Sequence, residues 1–400
     1  MHDFRKTLSA LTIIMACVPV PSLADEKSAW RLFVSDHGAP VVHVLDAAGG
    51  KKIGTFSLKS PASLYASDSG RTVFAVQRDG NLVSAIATGI SVDDHGDHGD
   101  IEIEAPQRLD ADIAGKKPVH FVDHHGDIAL FFDDEGVARI ASEKTVLDGL
   151  PHIREVRTAS PHHGVAIAFG EHMLVTEPHP EKPVEELPVG IRVLDRSGAR
   201  VGNLHECPDL HGEATSGRLT AIACAKGLLV AKSGKDSPQT DFLAYPDNLP
   251  NGKSTTLAGG RGLQYFLGNY GSSAVVLIDP ETEDAFRLIE LPARRVHFAV
   301  DPVRPKFAYV FTEDGRLHQI DVLAGSITKS LALTEPYSMD GHWSDPRPRI
   351  AVAGDNILVT DPLKSTIRVV EAASFAKTGD IPLDGKPFNI VAVGGSGETH

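Results

Sequence analysis

Ten residues, SVDDHGDHGD at positions 91–100, hold two histidines, four aspartates and two glycines, with one valine as their only sizeable apolar side chain. Such a stretch cannot join a hydrophobic core. Imidazole nitrogen and carboxylate oxygen are the ligands available to zinc where thiols oxidise. Asp93, Asp94, His95, Asp97, His98 and Asp100 could wrap an ion, because glycine lets the backbone curl without steric conflict. A loop must be ordered before it can bind, which weakens such a site. Calcium is disfavoured, since it prefers all-oxygen ligands and the EF-hand spacing is absent. The competing reading is a solvated acidic insertion.

The other candidates are non-local. The chain has 19 histidines. His120, His211 and His297 stand near the starts of predicted inner strands. The pairs His124/His125 in DHHGD and His162/His163 in SPHHG fall on predicted turns, and His342 lies in YSMDGHWSD. Which member of each pair faces a site is open from sequence. Converging strands could bring three or four of these imidazoles together into a tighter site than a loop can form. No G-x-S-x-G elbow, H-E-x-x-H, P-loop or dinucleotide fingerprint occurs in its required context, so the chain carries no recognisable catalytic motif.

These side chains need a scaffold, and the pattern supplies one. Short runs rich in β-branched and aromatic residues, such as RTVFAVQRDGNLVSAI and KFAYVFTEDGRLHQIDV, are broken by Asp-Gly and Glu-Gly turns. VHFVDHHGDIALFF and VHFAVDPVRPKFAYVF are two matching unit starts. A repeat of roughly 40 to 50 residues denotes a propeller blade. Inner strands are expected near Ser63, Val119, Glu155, His211, Leu263, Val296 and Ser338. The terminal FNIVAVGG reads as a further inner strand that completes the blade begun by WRLFVSD. The fold class is therefore an all-β propeller of four-stranded blades, eight in number with seven as the alternative. In such blades the 91–100 loop, lying between two outer strands, projects from the face that carries the first turn of each blade.

Residues 1–24 read as a cleaved signal peptide: Arg5 and Lys6, an apolar run from Leu8 to Val18, and a small-residue cut after Ala24. That leaves 25–400 as one exported domain, with no membrane insertion and a monomer as the default. With 53 acidic against 39 basic residues the net charge is −14, which argues against nucleic acid and is compatible with attracting cations. Cys17 leaves with the leader. Cys207 and Cys224 then most simply form a disulfide, a thiolate metal site being the alternative.

DDHGDHGD, VHFVDHHGD and CPDLHGEA together resemble the AztD family of periplasmic zinc metallochaperones, and the resemblance runs over essentially the whole mature chain. It implies a periplasmic, non-enzymatic protein carrying Zn²⁺. The partner implied is the substrate-binding protein of a zinc ABC transporter, AztC in that family. It further implies His95 and His98 as loop ligands, and His120, His124 and His211 as ligands of a structured site. Topology adds His163. A propeller lactonase or dehydrogenase, and a metal-free interaction scaffold, are the rival classes.

Overall fold

The computed structural model describes residues 28–94, 99–235 and 237–396; the leader and the loop tip with His95 and His98 lie outside the described residues. One strand explains why this chain builds blades. In Asp127–Phe132 the side chains alternate between two interfaces. Ile128, Leu130 and Phe132 pack with Phe74 and Phe121, while Ala129 and Phe131 pack with Ala166 and Met173. Both faces of each sheet are buried in this way, as the period of two demands. Eight apolar clusters fill the eight contacts between neighbouring sheets. Each fully buried Leu, Ile or Phe in them contributes roughly 1.5–3 kcal/mol.

The sheets form eight antiparallel blades around a channel. Blade 1 contains both ends of the described chain: Pro387–Ser396 is its inner strand, followed outward by Ser28–Asp36, Val41–Asp46 and Lys52–Ser57. The pairing Leu32↔Ala392 closes the ring and fixes eight blades rather than seven. In blade 2 (Ser63–Ala66, Thr72–Gln77, Leu82–Ala87) the outer position is shared by Gln107–Arg108 and Ile113–Ala114. Between its third and outer strands a ribbon, Ile90–Asp94 paired with Gly99–Ile103, carries the histidine loop. Buried Arg31 pins the ribbon's root by donating to the carbonyls of Thr88 and Glu104.

The inner strands of blades 3 to 8 are Pro118–His124, Ala166–Phe169, Glu213–Ser216, Leu257–Ala258, Arg295–Val300 and Ile350–Ala353. Three expectations shift. Glu155 belongs to the outer strand Arg154–Arg157 of blade 3, Leu263 follows the blade 6 inner strand, and Ser338 lies in the long approach to blade 8. A two-residue inner strand such as Leu257–Ala258 is too short to leave a periodic signature. The ribbon does leave from the face where inner strands end, together with the His124-His125-Gly126 turn. SPHHG precedes the inner strand Ala166–Phe169, so it lies at the opposite end of the channel, where inner strands begin. It is a strand entry, not a first turn.

Candidate metal centre

Three histidines meet at that opposite end. His120 is on the inner strand of blade 3, where a bulge between Pro118 and His120 re-aims the side chain. Its Nε2 lies 3.2 Å from Nε2 of His163. The ring of His211 has its centroid 5.3 Å from that of His163 and 6.3 Å from that of His120.

Each ring is held by its other nitrogen. His120 Nδ1 donates to Glu213 Oε1 at 3.1 Å, His163 Nδ1 to Asp133 Oδ2 at 2.8 Å, and His211 Nδ1 to the Thr255 carbonyl at 2.9 Å. Carboxylate and carbonyl oxygens only accept, so all three rings carry hydrogen on Nδ1, and His120 and His163 turn their Nε2 lone pairs toward one another. Two such lone pairs 3.2 Å apart repel unless a cation lies between them. A tetrahedral zinc ion with Zn–N of about 2.05 Å would set its ligand nitrogens about 3.3 Å apart. The observed spacing is close to that edge. Among the described residues no three His, Cys, Asp or Glu side chains are already closed on one point; His120 and His163 form one edge, with His211 standing off. Glu213 Oε2 and Asp133 Oδ1 are buried and make no hydrogen bond, another sign of an acidic pocket suited to a cation.

Local structure places these groups. Cys207 and Cys224 form a disulfide with Cα atoms 4.9 Å apart, and the loop it closes carries both His211 and Glu213. The His211 amide donates to Ala223 at 3.1 Å, and the Ala223 amide donates to Gly212 at 2.9 Å. At Gly212 φ is +89°, and a Cβ would sit 2.5 Å from the Thr255 carbonyl oxygen. Only glycine permits that approach, which is what brings His211 to its acceptor.

Burial opposes the charging of His120, but the charge and hydrogen bond of Glu213, with Asp133 behind, outweigh it and raise its pKa. Glu213 is held below the usual range: burial pushes it upward, and the His120 charge and hydrogen bond pull it down further. In His211 burial dominates and lowers the pKa.

The remaining histidines separate from this group. His162, 2% exposed, uses both nitrogens, Nδ1 on the Ser160 carbonyl at 2.9 Å and Nε2 with Thr176 Oγ1 at 2.8 Å. His163 is thus the member of that pair that faces the channel. His124 lies four residues beyond His120, about 13 Å along the strand. It is buried at the ribbon end, stacked on Phe169 at 4.2 Å and edge-on to His125 at 4.4 Å. It is not brought to the other three. His297 repeats the His120 position down to the preceding bulge. Its Nδ1 accepts from the Ile350 amide at 3.1 Å. Burial, then Arg349 and Arg295, hold its pKa well below the ordinary value. One histidine of the repeat thus faces carboxylates and the other faces guanidinium groups. His342, in the approach to blade 8, hydrogen-bonds Ser344 Oγ at 2.7 Å and stays outside the group. Glu213, Asp133 and Thr255 were not singled out in the sequence. Only Glu213 left a signal, standing two residues after His211 at the start of the same inner strand.

Fold and site together define a β-propeller that offers imidazole nitrogens in its channel. No model of a protein family matches the chain. It is 53% identical over 393 residues to the zinc chaperone AztD of Citrobacter koseri, covering 98% of this chain and 93% of the relative. The crystal structure of Citrobacter koseri AztD superposes with a TM-score of 0.91 at 54% identity, covering 94% of this chain and 100% of that one. The apo structure of the same relative gives 0.89 at 52% identity, with 93% and 100% covered. The dihydro-heme d1 dehydrogenase NirN, at 16% identity and a TM-score of 0.55 over 90% of this chain and 74% of that one, shares the fold alone. The chain belongs to the AztD family of zinc chaperones.

Proposed function

We propose that this protein carries Zn²⁺ as cargo in the periplasm and passes it directly to the substrate-binding protein of a zinc ABC transporter. The observation that carries the reading is the anchored trio: Nδ1 of His120, His163 and His211 each bound to an oxygen acceptor, with two Nε2 atoms 3.2 Å apart. In this reading His211, its ring centroid 5.3 Å from that of His163, moves in to supply the third nitrogen ligand. Glu213 is a positioning group, because its carboxylate lies on the Nδ1 side of the His120 ring and the metal on the Nε2 side. Three protein ligands leave a fourth position open to a water or to an incoming ligand from the acceptor. That open position suits ligand-by-ligand exchange, in which no free aquo ion forms.

Residues 1–24 serve export, and His95 and His98 lend weaker ligands at the ribbon tip during acquisition. The ribbon strands that flank this loop leave from the face opposite the trio, and in this reading loop and trio act in sequence rather than on one ion.

The test is transfer under competition. Protein comprising residues 25–400, loaded with one equivalent of zinc, is mixed with the metal-free acceptor in an excess of chelator that captures free zinc. Filling of the acceptor despite the chelator supports direct delivery. Zinc appearing only on the chelator, or failure of the protein to retain zinc at all, overturns it.

A further inference from the structure

Opposite the three histidines the channel wall is cationic. Arg349 immediately precedes the inner strand of blade 8. Its guanidinium lies over the Phe388 ring of blade 1 at 5.0 Å, and its charge is felt by His297 of blade 7 and Tyr65 of blade 2. A side chain that reaches inner-strand residues of three other blades points into the channel. Yet the guanidinium makes no hydrogen bond or ion pair among the described residues. Its charged neighbour is Arg347, whose guanidinium is already taken up by three carbonyls (Ser338, Asp340, His342) and by Asp345 at 3.5 Å. Arg295, beside His297, is likewise matched only to the carbonyls of Gly271 and Ala274 and to the Phe298 ring.

In a chain of net charge −14 this is a conspicuous omission. Arg349 and Arg295 are both part-buried, and a partly desolvated cation with no carboxylate beside it is stabilised by taking up an anion. Desolvation accordingly pulls Arg349 down to about 10, with Arg347 acting in the same sense, and pulls Arg295 down to about 10 as well. Two further donors share the wall. His297 accepts on Nδ1 and therefore carries its hydrogen on Nε2. Tyr65, stacked on Phe121 at 5.2 Å, has a hydroxyl with no partner among the described residues.

We propose that the channel binds a small oxyanion of the phosphate or carboxylate class on the Arg349 guanidinium, with the Tyr65 hydroxyl and His297 Nε2–H as additional donors. The planar fork of arginine matches two oxygens of such an anion. Tyr65 also feels the charge of Glu213, so its hydroxyl stands between the cationic wall and the histidine side of the channel. The site stands on this chain's donors and does not depend on what the histidines hold.

Calorimetric titration of inorganic phosphate, and separately of acetate, into the metal-free protein tests this. The wild type is expected to bind at least one of the two at one site per chain, and the choice between them identifies the subclass. Arg349→Met is expected to weaken binding at least tenfold. Arg349→Lys should recover part of it, keeping the charge but losing the fork. Thermal melts establish that the variants fold. Tyr65→Phe, which removes one hydroxyl, should weaken binding severalfold and keeps the test available if Arg349→Met does not fold. Binding by Arg349→Met or Tyr65→Phe as tight as wild type, or no binding of either anion to the wild type at concentrations up to about 10 mM, overturns the proposal.

Discussion

Replacing Glu213 by Gln leaves shape and volume almost unchanged and removes one negative charge from beside His120. The structure sets the size of the effect. Glu213 Oε1 accepts from His120 Nδ1 at 3.1 Å, with both side chains mostly buried (16% and 11% exposed). An outer partner of this kind fixes the tautomer and raises the basicity of a metal-binding imidazole, and its loss typically weakens metal binding by about 10- to 100-fold. That corresponds to about 1.4–2.7 kcal/mol. The same substitution acts on proton competition. Glu213 raises the pKa of His120 against the opposing effect of burial. In the wild type, zinc affinity therefore begins to fall at a pH above the usual histidine value as the solution is acidified. Without Glu213, burial dominates, His120 protonates only at lower pH, and the affinity curve is flatter. The assay is competition with a chromophoric zinc chelator at several pH values between 8 and 5.5. Glu213→Gln should bind zinc about 10- to 100-fold more weakly at pH 8, and the gap should narrow on acidification. Equal affinity at pH 8, or a curve as steep as that of the wild type, would refute the reasoning.

Three other outcomes follow from the same geometry. His163→Ala should lose tight zinc binding. His162→Ala should retain it while losing about 1–3 kcal/mol of stability, because it orphans buried partners of both ring nitrogens; chelator competition and denaturant melts separate the two. Opening the Cys207–Cys224 crosslink by a double Ser substitution should lower stability by about 3 kcal/mol. It should also weaken zinc binding, since the closed loop carries His211 and Glu213. His124 has its pKa lowered to about 4 by burial, with His125 adding to it, and is 5% exposed. Its unfolded form takes up protons first, so the stability it supports is full above pH 6.5 and declines as the pH falls towards 4, by about 3 kcal/mol. Asp123, raised to about 6 by burial and by Asp68, works in the opposite sense and partly offsets it. The difference between wild type and His124→Phe in urea melts should isolate the His124 component, growing between pH 6.5 and 4, and a constant difference would contradict the assignment.

The propeller was readable because each blade repeats the same alternation and turn chemistry, and the terminal FNIVAVGG had no partner except the opening WRLFVSD. His120 was readable from the VHF repeat, and His211 from its place ahead of an inner strand. The choice of His163 over His162 was not readable. It rests on Thr176 and Ser160 claiming both nitrogens of one ring while Asp133, thirty residues away, claims the Nδ1 of the other. His124 looked equivalent to His120 in sequence, yet four residues along one strand place it at the other end of the channel. His297 shares the VHF motif and the bulge, and differs only in its neighbours. Arg295 stands two residues before it in the place of Pro118, and Arg349 arrives from the next blade. Long-range pairing of charges decides which imidazole can accept a cation, and that pairing exists only in the folded ring.

The most direct measurement is an anomalous difference map at the zinc edge from crystals of the protein grown with one equivalent of zinc. The account predicts one dominant peak about 2.0–2.1 Å from Nε2 of each of His120, His163 and His211. Glu213 and Asp133 should remain on the Nδ1 atoms of their rings. A dominant peak bonded elsewhere, with these three imidazoles still in their metal-free positions, would contradict it.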